Sequence, residues 1–178
     1  MCNFLSAVAL PTGEIRWHWA LDSHAAIVRY YGLRDDAENL VVQRFAKVEL
    51  NPGWSDPADE TRWKFWLDED TKPAWWDDVA ERVEETMRRI LRARILKTGR
   101  TDMILDDVWV VCGDAEIDEF RSGRIAMVSG GLIKVVRGGA IDKVCGGTIN
   151  RVYGGTIKKF CGGTIKKFWG GTIDEVYG

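Results

Sequence analysis

The last third of the chain repeats its apolar and polar positions every eight residues. The consensus is Gly-Gly-Thr-Ile-x-x-Val-x, nearly perfect in Gly146 to Tyr153, Gly154 to Cys161, Gly162 to Trp169 and Gly170 to Tyr177. Gly138 to Cys145 and Gly130 to Arg137 keep the glycine pair and an isoleucine. Ser122 to Ser129 and Asp114 to Arg121 keep the apolar pairs Ile125 with Val128 and Ile117 with Phe120. The pattern reads as eight copies from 114 to 177.

A unit of eight residues cannot enclose its own side chains, so successive copies must stack. Two adjacent glycines in every copy cost a helix about 2 kcal/mol relative to alanine, which excludes an amphipathic helix. In a regular strand the isoleucine and the Val/Phe three residues later face opposite sides. Both point inward only if the chain bends at the polar pair between them, such as Asn150-Arg151 or Lys158-Lys159. The Gly-Gly pair supplies the other corner. The predicted architecture is a β-solenoid (β-helix). A sixteen-residue stack gives the columns Arg121, Arg137, Tyr153, Trp169 and Ser129, Cys145, Cys161, Tyr177. Like stands on like there, as sheet ladders prefer, which predicts a flattened two-sided coil and four coils in all. Gly178 follows directly on a good copy, and an open solenoid edge pairs with other edges. End-to-end self-association through Phe168, Trp169, Ile173, Val176 and Tyr177 is therefore expected.

Before the repeats the periodicity changes. Phe4 to Leu10 and Ile15 to Ala20 read as strands of a hairpin around Pro11-Thr12-Gly13. Asp22-Ser23 offers an N-cap for a helix from His24 to Tyr31, closed by Gly32. Strands are predicted over Leu40 to Leu50 and Arg62 to Leu67. From Pro73 to Lys97 a 3.6-residue stripe of Trp76, Val79, Val83, Met87, Ile90, Leu91 and Ile95 predicts a helix. Its acids lead and its bases follow, which suits the helix dipole. Ile104 to Cys112 reads as a junction strand. The order is ββαββα: an α+β domain over 1–103, a junction over 104–113 and the solenoid over 114–178.

Composition adds bounds. The 178 residues carry a formal charge of −2, with a net of −5 in residues 1–113 and +3 in residues 114–178. Neither half is basic enough to argue for nucleic acid. The lysines at 158, 159, 166 and 167 read as a solvated edge. No apolar run approaches a membrane span, the start lacks a basic leader, and the cysteines show neither metal nor disulfide spacing. A cytoplasmic, reduced protein without cofactor or membrane contact is expected.

Candidate chemistry is sparse. Cys2, if Met1 is removed, carries a thiol beside its own amine, the arrangement of an N-terminal nucleophile. His18 or His24, oriented by Asp22, would complete a thiol-dependent hydrolase or transferase site. No metal ligand spacing is visible. Eight of the nine tryptophans lie at or before residue 109. Trp54, Trp63, Trp66 and Trp75 are the candidates for a binding face, since tryptophan is enriched at interface hot spots.

Several motifs occur together: Met1-Cys2-Asn3-Phe4, Asp22-Ser23-His24 with Ile27 and Tyr31-Gly32-Leu33, Lys47-Val48-Glu49-Leu50-Asn51-Pro52, Asp68-Glu69-Asp70 with Pro73-x-Trp75-Trp76, and the Gly-Gly-Thr-Ile tail. In this set the chain resembles a group of uncharacterised bacteriophage and prophage proteins. The resemblance implies a phage-encoded accessory protein in the host cytoplasm, acting on the host or its defences, and assigns no catalytic residue. The expected function is a non-catalytic protein that assembles through its solenoid and binds a host protein or small ligand through its N-terminal domain. The alternative is the Cys2 enzyme.

Overall fold

The computed structural model describes residues 5–18, 21, 23–34, 43–53, 57–104 and 108–177, with backbone only at 103, 104, 108 and 109. Contacts divide the chain into two units, residues 1–55 with 59–92, and residues 56–58 with 93–178.

The first unit is a small α+β fold. Strand β1 (Leu5–Ala9) turns back as β2 (Ile15–Arg16). Strands β3 (Ala46–Asn51) and β4 (Lys64–Leu67) complete an antiparallel sheet in the order β2-β1-β3-β4. The register sets Ser6 opposite Glu49 and Val8 opposite Lys47. Period-two alternation then puts Ser6, Val8, Lys47 and Glu49 on one face and Ala7, Ala9, Val48 and Leu50 on the other. Helix α1 (His24–Tyr30) covers the first face, where Val8 packs with Ile27, Val28 and Phe45. Ser23 caps it, its hydroxyl accepting from the Ala26 amide at 3.2 Å, and Gly32 at φ +64° ends it. Helix α2 (Trp76–Arg92) buries Trp76, Val79, Val83, Met87 and Leu91, and Trp76 stacks on Phe65 of β4 with ring centroids 6.2 Å apart. Each such side chain contributes about 1.5–3 kcal/mol on burial.

The described elements keep the expected order ββαββα, with four main differences in extent. Strand β3 begins at Ala46, not Leu40: residues 43–45 are irregular, and 40–42 lie outside the described residues. Strand β2 stops at Arg16 because the next backbone groups serve the α1 region. The Tyr31 hydroxyl donates to the Trp17 carbonyl at 2.6 Å, and the Leu21 amide to that of His18 at 3.1 Å. A 3-10 turn at Glu60–Arg62, capped by Asp59, delays β4 to Lys64. Helix α2 ends at Arg92, not Lys97. There the Arg92 guanidinium grips both Glu60 carboxylate oxygens at 2.7 Å, and Ile95 and Leu96, placed on the helical stripe by periodicity, form a strand instead.

The second unit is a two-sided parallel β-solenoid of about five turns over residues 95–176. Strands β5 (Ile95–Leu96), β7 (Val108–Val111), β9 (Arg124–Val128), β11 (Ala140–Val144), β13 (Thr156–Phe160) and β15 (Thr172–Val176) form one sheet. Strands β6 (Arg100–Ile104), β8 (Glu116–Phe120), β10 (Leu132–Val136), β12 (Thr148–Val152) and β14 (Thr164–Phe168) form the other. Ile133 lies opposite Ile117 and Ile149, sixteen residues away in either direction. In the regular strands from β8 to β12 both apolar positions face inward. Ile117 and Phe120, Ile141 and Val144, Ile149 and Val152 are all buried in one continuous column. The bend falls between them, as in β10, where the ladder pairs Leu132, Ile133, Val135 and Val136 and passes over Lys134.

The corners explain the glycine pairs. A Cβ at Gly146 would stand 2.6 Å from the Ser129 carbonyl oxygen of the turn below, so nothing larger than hydrogen fits. Gly147 has φ +74°, a conformation costly for a residue with a side chain.

The solenoid begins earlier than the expected boundary at 114. Its first strands break the phase: Ile95 pairs with Val110, fifteen residues on. The spacing between β7 and β9 grows from sixteen at Val108–Arg124 to seventeen at Val110–Met127, across an irregularity after Trp109. The expected junction strand over Ile104 to Cys112 contains β7, and β6, just before it, belongs to the other sheet.

Candidate functional site

Three elements of the first unit bring His24, Glu49 and Asp68 together. Glu49 faces α1 from β3, and Trp66 lies directly opposite it on β4, so Trp66 and, two residues on, the Asp68 position share its side of the sheet. His24 opens α1. Its imidazole is buried, and the potential ligand atoms of the three side chains all lie within 4.8 Å of one another. The Nε2 atom is 3.1 Å from the Val48 carbonyl oxygen. A carbonyl can only accept, so Nε2 carries the hydrogen and donates it. Nδ1 is 3.2 Å from Asp68 Oδ2, and the Asp68 side chain is 52% exposed. Glu49 is only 8% exposed and has no hydrogen-bond or ion-pair partner among the described residues. Asp68 also lines an open polar depression of about 310 Å³, with Lys47, Leu67, Glu69 and Asp70. Its wall is held by the Lys47 amide donating to the Glu69 carboxylate at 2.8 Å and the Asp68 amide donating to the Lys47 carbonyl at 2.8 Å.

In the second unit, chemistry lies on the outer surface of the sheets. Charges alternate between turns. Asp118 is held by Arg100 below and by Lys134 above, the latter at 2.9 Å. Glu119 pairs with Arg137 and with Arg121, Asp142 with Arg124 and Lys158, and Glu175 with Lys159. The Arg100 contact, then that of Lys134, holds the Asp118 carboxyl below its usual range, and Arg137 with Arg121 does the same for Glu119. In the sheet ending in β15, the polar pairs run Asp142-Lys143, Lys158-Lys159, Asp174-Glu175. In the sheet ending in β14 they run Asn150-Arg151, then Lys166-Lys167. Neither Lys166 nor Lys167 has an acidic partner among the described residues. The last turn exposes Phe168, Trp169 (67%), Val176 (69%) and Tyr177, while Val136 and Val152, in register with Phe168, and Val144, in register with Val176, are buried.

The expected self-association residues therefore come together on this last turn, except that Ile173 is partly buried against the core column. The column of eighth positions also forms. The Arg137 guanidinium lies 5.5 Å from the Tyr153 ring centroid, and Tyr153 stacks on Trp169 at 6.3 Å with planes 14° apart. Cys112, Cys145 and Cys161 are in no disulfide, and burial pushes the Cys145 thiol up. Cys2, Asp22 and Trp54 lie outside the described residues. The His18 ring lies 4.6 Å from that of Tyr30, tilted by 53°, and His24 faces the carboxylate cluster; the thiol of the expected nucleophile site falls outside the described residues. Trp63, expected on a binding face, is buried with Arg88 over its ring at 5.9 Å. Half-buried Trp75 donates its indole hydrogen to the Gln43 carbonyl at 2.6 Å. Both are packing residues, and half-buried Trp66 alone of the described candidates flanks the polar cluster.

Comparison with family models, with curated proteins and with solved structures returned no match. Among the described residues no helix is long and apolar enough to cross a membrane.

Proposed function

We propose that this is a non-catalytic assembly protein of phage type, which self-associates tail to tail through the last turn of its solenoid and displays its α+β unit to a host partner in the cytoplasm. The observation that carries the reading is the charge pattern at the unpaired edges. Strands β14 and β15 each have a partner on one side only. One edge is basic, with Lys166 and Lys167, and the other acidic, with Asp174 and Glu175.

Two copies meeting by a twofold axis can join these edges in two ways. Pairing β14 with β14 of the second copy sets lysine against lysine, and pairing β15 with β15 sets acid against acid. Pairing β14 with β15 sets acid against base twice. That continues the alternation already present between Asp142, Lys158 and Glu175 inside the solenoid. Either twofold makes the new strand pairs antiparallel, so the assembly closes as a dimer and does not grow into a fibre. The exposed Phe168, Trp169, Val176 and Tyr177 supply the apolar contact. The phage-type role rests on the motif set above, and the partner of the α+β unit is a host protein or a small ligand.

Light scattering over a concentration series tests the assembly. The full chain is expected to be a dimer. The pair K166E/K167E makes both edges acidic and yields monomer, and adding D174K/E175K restores the dimer with the charges exchanged. A wild-type chain that is monomeric at every concentration, or a K166E/K167E dimer as tight as wild type, overturns the proposal.

A further inference from the structure

We infer that His24, Glu49 and Asp68 form a binding site for one divalent transition-metal ion of the zinc or manganese class. The His24 Nε2–H is committed to the Val48 carbonyl at 3.1 Å, so the remaining lone pair of a neutral ring is on Nδ1. That lone pair faces a carboxylate oxygen of Asp68 at 3.2 Å. Two lone pairs do not hold such a contact without a cation between them. A proton on Nδ1 answers Asp68 and leaves Glu49 unanswered. Glu49 as a residue is only 8% exposed, its carboxylate lies within the same 4.8 Å cluster, and that carboxylate has no protein partner among the described residues. A buried carboxylate without a counter-charge is costly. An ion bound to all three groups satisfies each of them.

The geometry agrees with this. Zinc bonds of about 2.0–2.1 Å in a tetrahedron separate neighbouring ligand atoms by about 3.3–3.4 Å, close to the 3.2 Å between Nδ1 and Asp68 Oδ2. The Nε2–H to carbonyl hydrogen bond is the outer contact that metal-bound histidines generally make, fixing tautomer and ring orientation. One imidazole and two carboxylates select a borderline ion over calcium or magnesium, which take oxygen ligands. Three protein ligands leave a position for water or a ligand atom. Of the three ligands, Asp68 also lines the depression formed with Lys47, Leu67, Glu69 and Asp70. The site belongs to the α+β unit and does not depend on the assembly of the solenoid.

The test uses the untagged full chain, stripped with a chelator and titrated with Co²⁺ as a spectroscopic stand-in for Zn²⁺. One Co²⁺ per chain is expected, with weak visible bands, displaced by Zn²⁺ and without the near-ultraviolet thiolate band that the cysteines would give. Saturating Zn²⁺ raises the thermal midpoint by about 5 °C. E49Q and D68N each weaken binding by more than about 100-fold, beyond what outer partners are worth. Asp68 is half exposed, so D68N keeps its fold by circular dichroism, and metal-free E49Q is at least as stable as metal-free wild type. No saturable binding at millimolar metal overturns the inference, as does binding that survives both E49Q and D68N or carries a thiolate band.

Discussion

The glycine pairs show how single residues hold the solenoid, since the two members are required for different reasons. At Gly147 both reasons act together: φ is +74°, and an added Cβ would lie 2.5 Å from the Gly130 carbonyl oxygen, a backbone atom that cannot rotate away. Gly99 is also left-handed, at φ +86°, but a Cβ there would meet nothing within 4 Å. The left-handed conformation alone costs an alanine about 1–2 kcal/mol, so Gly99→Ala is expected to lose about that much. Gly147→Ala must also displace the turn beneath it, at about 1–3 kcal/mol more for the overpacking. Urea denaturation of the two variants separates the terms, and equal losses would mean that close packing of turns is not what requires the second glycine. The outward carboxylates carry a pH dependence of definite sign. Asp118 and Glu119 have folded values below their ordinary 3.8 and 4.5, held there by Arg100 and Lys134, and by Arg137 and Arg121. Groups depressed in the folded state stabilise it fully above their unfolded values, and that contribution is lost as pH falls through the folded values. Stability from these ladders is thus expected to be flat above about pH 5 and to fall below about pH 4. A denaturation series across that window, on wild type and on Asp118→Asn with Glu119→Gln, should show a shallower acid slope in the double variant. High salt should flatten the wild-type slope as well, because these pairs are solvent-exposed.

At the scale of elements, legibility followed regularity. The strands from Glu116 to Val176 could be read from the sequence because each carries its two apolar residues at a fixed phase, and the same phase gave the sixteen-residue coil and the Arg137–Tyr153–Trp169 column. The first turn was hidden by local physics. Thr101 stands opposite Ile117, where the pattern asks for an apolar residue, and spacings of fifteen and seventeen defeat a strict period of eight. The end of α2 was misread because Ile95 continues the helical stripe. Beyond Arg92 the backbone pairs elsewhere, the Val110 amide donating to the Arg94 carbonyl at 2.9 Å and the Cys112 amide to that of Leu96 at 3.0 Å, long-range contacts that no window of local sequence contains. Legibility was poorest at the polar cluster of the first unit. His24, Glu49 and Asp68 come from a helix, a strand and the end of another strand, so no ligand spacing announces them. The one sequence signal was Glu49 itself, a charged residue among Val48 and Leu50 in a strand that is otherwise buried. Likewise the tryptophan density was compatible with packing and with a binding face, and Trp63, Trp75 and Trp76 are spent on packing or on a backbone hydrogen bond. Abundance of a residue type along a chain says little about which copies reach the surface.

For the molecule as a whole, the solenoid is a stack in which each turn is stabilised by its neighbours on both sides, so stability is a sum over turns and interfaces. An inner rung such as Ile133 is fully buried between Ile117 and Ile149. Ile173 has Ile157 on one side only and is partly buried. Truncating a buried isoleucine to alanine typically costs about 2–5 kcal/mol, and Ile133→Ala is expected in that range, with Ile173→Ala well below it in the monomeric K166E/K167E background. The same asymmetry sets dynamics. Amides of β14 and β15 open locally at lower free energy than those of β10 and β11, and should exchange with solvent first. The proposed tail-to-tail association would change that ordering, because the strand of a second copy would then cover the edge. Hydrogen exchange measured at rising protein concentration should slow at 164–168 and 172–176 in the wild-type chain, leave 132–144 unchanged, and show no concentration dependence in K166E/K167E. Ile173→Ala should then cost more in the dimer than in the monomer, since its rung is completed by the partner. If the last turn exchanges as slowly as the inner turns at every concentration, it is stable on its single interface. The exposed Trp169 and Val176 must then serve a surface other than a second copy.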